Sequence, residues 1–122
     1  MHGGDREGEQ TMEPRILDWQ EGVARVVNNR ALYGRLLGKF AETQADAPDL
    51  VAAALAEGDM EKAQLVVHTL KGTAANLSAH ALADAALTLE TALKTGADAT
   101  DALENTKRVM VRTLEAMKQF QS

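Results

Sequence analysis

Three residues within a span of five, His68, Lys71 and Gly72, hold the chemical interest of this chain. Imidazole is a nucleophile whose lone pair is available near neutral pH. A lysine three residues on can bring a mobile positive charge to a phosphate on that ring. A glycine four residues on leaves room beside the ring for a bulky group. Mid-helix glycine costs about 1 kcal/mol relative to alanine, so in an alanine-rich run it marks close approach. The chemistry that suits this trio is transient phosphorylation of the imidazole.

An α-helix must position them. It advances about 100° per residue, so residues three and four apart share a face. Ala63, Val67, Leu70, Ala74 and Leu77 form one apolar stripe, and Leu65, Val66 and Thr73 widen it. Gln64, His68, Lys71, Gly72 and Ala75 lie on another flank, so the ring points away from the buried stripe toward solvent. On residue types alone, His68 remains open between a nucleophile and a plain solvated residue. His80 has no Lys-Gly company and reads as surface, and His2 falls in the N-terminal tail.

Composition narrows the function classes. The 122 residues suit one domain, and 45% hydrophobic content supplies a core. Aromatics are only 3%, so that core must come from Leu, Val, Ala and Met. A net charge of −5 argues against a nucleic-acid or membrane-surface binder, which needs a basic face. Cysteine is absent, which excludes disulfides, thiolate metal sites and thiol catalysis. No apolar run is long enough to span a bilayer. A cytoplasmic location is expected, free or as the cytoplasmic portion of a membrane-bound protein.

The hydrophobic pattern predicts an all-α domain over residues 15–120, after a flexible tail over 1–14. Asp18 caps a short helix with Trp19, Val23 and Val26, broken at Asn28-Asn29. A second helix runs from about Arg30 to Thr43, with Leu32, Leu36, Leu37 and Phe40 inward. Asp46-Ala47-Pro48 marks a kink or a restart that carries Leu50, Val51, Ala54 and Leu55 to Gly58. Asp59 starts the histidine helix, which ends near Leu77. Ser78 is expected to N-cap the next helix, Ala79 to Lys94, with Leu82, Ala85, Ala86, Leu89 and Leu93 inward and Gly96 closing it. The last helix spans about Asp98 to Gln119, with Leu103, Val109 or Met110, Leu114 and Met117 facing the core. Short connections imply an antiparallel up-and-down four-helix bundle with a short extra N-terminal helix.

The run His68-Thr69-Leu70-Lys71-Gly72-Thr73-Ala74-Ala75-Asn76-Leu77-Ser78-Ala79 resembles the signature of histidine-containing phosphotransfer (HPt) domains of bacterial multistep phosphorelays. Leu82 and Leu89-Glu90 match that family's next helix. Leu17-Asp18 through Arg25, Tyr33, Leu36-Leu37, Phe40 and Gly58-Asp59 match its earlier elements. Ser78 departs from the pattern, which usually has Gly there. The resemblance implies that His68 accepts a phosphoryl group from a receiver-domain aspartyl phosphate and passes it to another receiver aspartate. It also implies no autonomous kinase or hydrolase activity, no cofactor or metal on this domain, Mg²⁺ on the partner receiver, and a monomeric domain.

Within that frame, an antiparallel hairpin turning near Ser78 brings Thr88 to Glu90 level with His68. Glu90 becomes a candidate acceptor for Nδ1–H, fixing the tautomer; the alternative is a solvated carboxylate. Lys71 would offset phosphoryl charge, and Gly72 would give clearance. Gln64 and Ala75, with Arg35 and Lys39 of the second helix, are expected to form the docking surface. Three rivals stand beside this reading. Di-iron bundles need Glu three residues before His, but Leu65 and Leu77 hold those places. An adaptor bundle would not need Lys71 and Gly72 beside His68. A chemotaxis-kinase-type phosphotransfer domain would take its phosphoryl group from a kinase domain; the motif favours the hybrid-kinase relay type.

Overall fold

The computed structural model describes residues 15–121, so the expected tail over 1–14 lies outside the described residues. The described chain is helical: α1 Trp19–Arg25, α2 Arg30–Gln44, α3 Ala47–Ala56, α4 Met60–Asn76, α5 His80–Thr95 and α6 Thr100–Gln121. Neighbours pack in sequence order from α3 to α6, and α6 returns against α2 and α3 to close the bundle. The fold is the antiparallel four-helix bundle expected, with α2 and α3 as two pieces of its first member. Among the described residues no helix is long and apolar enough to cross a membrane.

Local chemistry sets each boundary. Asp18, Asn29 and Asp59 accept from the backbone N–H of Glu21, Leu32 and Lys62, capping α1, α2 and α4. Pro48 sits in the first turn of α3, where its missing N–H leaves no bond unmade. The segment therefore restarts there, two residues after α2 ends. Gly58 and Gly96, both with φ near +75°, end α3 and α5 in the left-handed conformation that glycine tolerates best.

The α4–α5 turn departs from expectation. Ser78 does not cap α5; Ala79 holds that position, and no side chain caps the helix. Ser78 instead adopts φ +64°. This left-handed geometry explains why a glycine suits the position better. Four contacts pin the turn. Asp18 N–H donates to Ser78 O at 2.9 Å, and Ala81 N–H donates to Arg15 O at 2.6 Å. The buried Tyr33 hydroxyl donates to Leu77 O at 2.6 Å, satisfying a carbonyl at the end of α4. Arg25 donates to Ala75 O at 3.3 Å. Tyr33 in turn fits against Gly22, where an added Cβ would lie 2.3 Å from its ring.

Alanines and larger aliphatic side chains together build the α4–α5 contact. Ala63, Val67, Leu70 and Ala74 are buried against a layer that includes Leu82, Ala85, Ala86, Leu89 and Leu93, as expected. Leu65 is a correction: it is 65% exposed, because it lies two residues from both Ala63 and Val67, on the side of the helix opposite the stripe. Leu50 is also exposed. In α2, Tyr33 and Gly34 are buried with Leu37 and Phe40, whereas Leu32 and Leu36 are only half-buried. In α6, Met110 and Met117 are buried, while Leu103, Val109 and Leu114 pack at the margin. Thr106, Thr113, Ala116 and Phe120 complete that face. The two buried threonines return their hydroxyls to carbonyls four residues back, which lets polar residues occupy a core position. Phe120 makes an edge contact with Tyr33 at 5.2 Å between ring centres, extending α6 past its expected end.

Candidate functional site

The pinned turn fixes the register of the α4–α5 hairpin, and that register brings Glu90 to His68. Glu90 is buried, its side chain only 4% exposed, while the His68 side chain is 65% exposed. His68 Nδ1 lies 2.9 Å from Glu90 Oε2. Lys71 Nζ donates to Glu90 Oε1 at 2.7 Å. Lys94, one turn along α5, places its ammonium 3.6 Å from Oε2. A buried carboxylate is costly unless paired; here an imidazole and two ammonium groups meet both oxygens. The alternative of a solvated carboxylate is thereby corrected.

The Lys71 hydrogen bond lowers the Glu90 pKa most. Burial pushes the other way, and the His68 contact and the nearby lysines lower it further, to about 2. Glu90 is therefore ionised at neutral pH and can only accept. The atom facing it, Nδ1, must carry the hydrogen. In the neutral ring Nε2 then holds the free lone pair, directed away from the carboxylate.

The space around the ring is open. A Cβ built on Gly72 meets nothing within 4 Å. The clearance is thus not demanded by this chain's own packing. Gln64 and Ala75 lie half-buried on the turns flanking His68 and Gly72. The second-helix cations part company. Lys39 lines a groove with Thr73 and Asn76 of the site helix and Leu77 just after it. Arg35 lines a different groove, with Gly34, Gly38, Phe120 and Gln121, on the α6 side of α2.

Two side chains have partners that the sequence reading does not supply. Lys94, expected only as the last residue of its helix, pairs with Glu90. Its signal was the Glu90–Lys94 spacing of four, with the acid N-terminal, which favours pairing. His80 is at the surface as expected, and there its Nε2 lies 2.7 Å from Glu21 Oε1, joining α5 to α1. Asp18, Glu21 and His80 bring their ligand-type atoms within 4.8 Å of one another, but Asp18 is already the cap of α1 and Glu21 the partner of His80.

A buried acid on one long helix, in contact with an exposed imidazole on the helix beside it, defines a class: four-helix-bundle domains that present a histidine at the surface. Residues 35–120 match the Hpt domain family, so the chain belongs to it, as a histidine phosphotransfer domain of phosphorelay signalling. The fold is also similar to the crystal structure of the HPT domain from an Hpt sensor hybrid histidine kinase of Shewanella. The two share 16% identity with a TM-score of 0.74, over 88% of this chain and 94% of that one. No curated protein matches the chain significantly.

Proposed function

We propose that His68 relays a phosphoryl group between receiver domains. The observation that carries this reading is the 2.9 Å contact between Nδ1 and the buried Glu90, which leaves Nε2 as the outward nucleophile. Nε2 attacks the phosphorus of a receiver aspartyl phosphate. The N–P bond forms as the acyl O–P bond breaks, and the aspartate leaves with the electron pair. The ring keeps its Nδ1 proton and takes on positive charge, which Glu90 offsets. Attack by a second receiver aspartate reverses these events.

Such transfer depends mainly on positioning and charge stabilisation. Glu90 fixes the tautomer and the ring orientation. Lys71 offsets charge on the phosphoryl oxygens, and Gly72 leaves space for that group and for the incoming receiver. Mg²⁺ belongs to the receiver. Gln64 and Ala75 on the site helix, with Lys39 beside it, serve as docking residues. Arg35 reaches the partner only if the receiver spans α2, so it contributes least to docking. In this role the domain is an intermediate without kinase or hydrolase activity of its own.

His68→Gln keeps a polar side chain on an exposed position and should leave the helical circular dichroism intact. Incubated with a phosphorylated receiver, the variant should take up no acid-labile phosphate. Uptake equal to the unaltered chain would overturn the reading.

A further inference from the structure

Lys71 faces a conflict. At rest its ammonium bonds Glu90 Oε1 at 2.7 Å, and it is the main influence keeping that buried carboxylate charged. Once His68 carries a phosphoryl group, the oxygens of that group become a second anionic claimant, three residues away on the same helix. A phosphoryl group brings about two negative charges. If Lys71 moves to it, Glu90 stays buried with one strong partner fewer, which is costly.

Lys94 resolves the conflict. It sits four residues after Glu90 on α5, with Nζ 3.6 Å from Oε2, outside hydrogen-bond range but close enough for strong attraction. Its side chain is more than half exposed, so it is free to close the remaining gap. It approaches from α5, not from α4, so it does not compete with Lys71 for position. We infer that Lys94 is a positioning residue: it takes over as counter-ion of Glu90 and releases Lys71 to the phosphoryl group on His68. This rests on the phosphotransfer reading of His68, and it names a cation hand-off that the reading by itself does not require.

The test avoids any receiver, so docking cannot confuse it. The chain is phosphorylated with phosphoramidate: the N–P bond to Nε2 forms as the donor's own P–N bond breaks and ammonia leaves. Excess donor is removed, and loss of phosphohistidine is followed by phosphorus NMR. Lys94→Gln should shorten the phosphohistidine lifetime roughly three- to fivefold, the upper scale of one partly exposed ion pair. Lys94→Arg should restore most of it. In a Glu90→Gln background there is no carboxylate to neutralise, so adding Lys94→Gln should change the lifetime less than about twofold. An unchanged lifetime in Lys94→Gln would overturn the inference. So would an equal loss in both backgrounds, which would mean that Lys94 acts on the phosphoryl group directly. An unaltered chain that takes no phosphoryl group at His68 would instead overturn the phosphotransfer reading itself.

Discussion

Glu90 reaches across from α5 to hold Nδ1 of His68 at 2.9 Å, and this one contact ties the imidazole to the register of the hairpin that carries it. Ser78, Tyr33 and Asp18 act on the site through that register, although none of them touches the ring.

Glu90→Gln can still accept at Nδ1 through its amide oxygen, but it loses the charge that offsets the developing imidazolium. A charge-assisted hydrogen bond contributes about 1.5–3 kcal/mol, so transfer from a phosphorylated receiver should slow roughly tenfold or more. Nitrogen NMR of the ring should show Nδ1–H in the unaltered chain and a mixed tautomer in the variant. Equal transfer rates would remove Glu90 from the chemistry.

Acid should expose the same contact. Glu90 has a folded pKa of about 2 against an ordinary 4.5. Because the folded value is depressed, its stabilising contribution is complete above about pH 4.5 and is lost as pH falls toward 2. In urea titrations, the stability difference between the unaltered chain and Glu90→Gln should hold from neutrality to about pH 5 and shrink below pH 4. A difference independent of pH across that range would contradict the ionised, buried carboxylate.

Gly72→Ala separates folding from function. Open space surrounds the added Cβ, so the variant should gain about 1 kcal/mol of stability from helix propensity. Receiver-dependent transfer should nonetheless fall, because the methyl group lies on the turn beside the ring. A variant that is both more stable and fully active would show that clearance at this position is not needed.

Much of this arrangement was legible in the sequence. The alternating four–three spacing of Ala63, Val67, Leu70 and Ala74 identifies the buried face of α4, and His68 falls off it. Glu90 follows from counting back along an antiparallel hairpin. Leu65 misleads because its apolar type suggests burial, while its angular position leaves it outside. Ser78 misleads because serine is a common N-cap, and residue type does not show the left-handed backbone that the turn imposes. Phe120 was hidden because its partners, Trp19, Arg30 and Tyr33, are remote in sequence. Lys94 is legible in the sequence only as the end of its helix, and its pairing becomes evident once Glu90 is known to be buried.

Ser78→Gly follows from that correction. Relieving a left-handed non-glycine residue gains about 1–2 kcal/mol in the folded state, part of it lost to the greater freedom of the unfolded chain. A net gain of about 0.5–1 kcal/mol is expected in thermal or urea unfolding. A clear loss of stability would mean that the serine side chain contributes more to the turn than the backbone costs.

The most direct measurement is the position of the phosphoryl group itself. After incubation with a phosphorylated receiver, nitrogen–phosphorus coupling and peptide mass spectrometry should place one acid-labile phosphate on Nε2 of His68. Phosphate on Nδ1, on His80 or on no histidine would contradict a site in which Glu90 reserves Nδ1 and leaves Nε2 free.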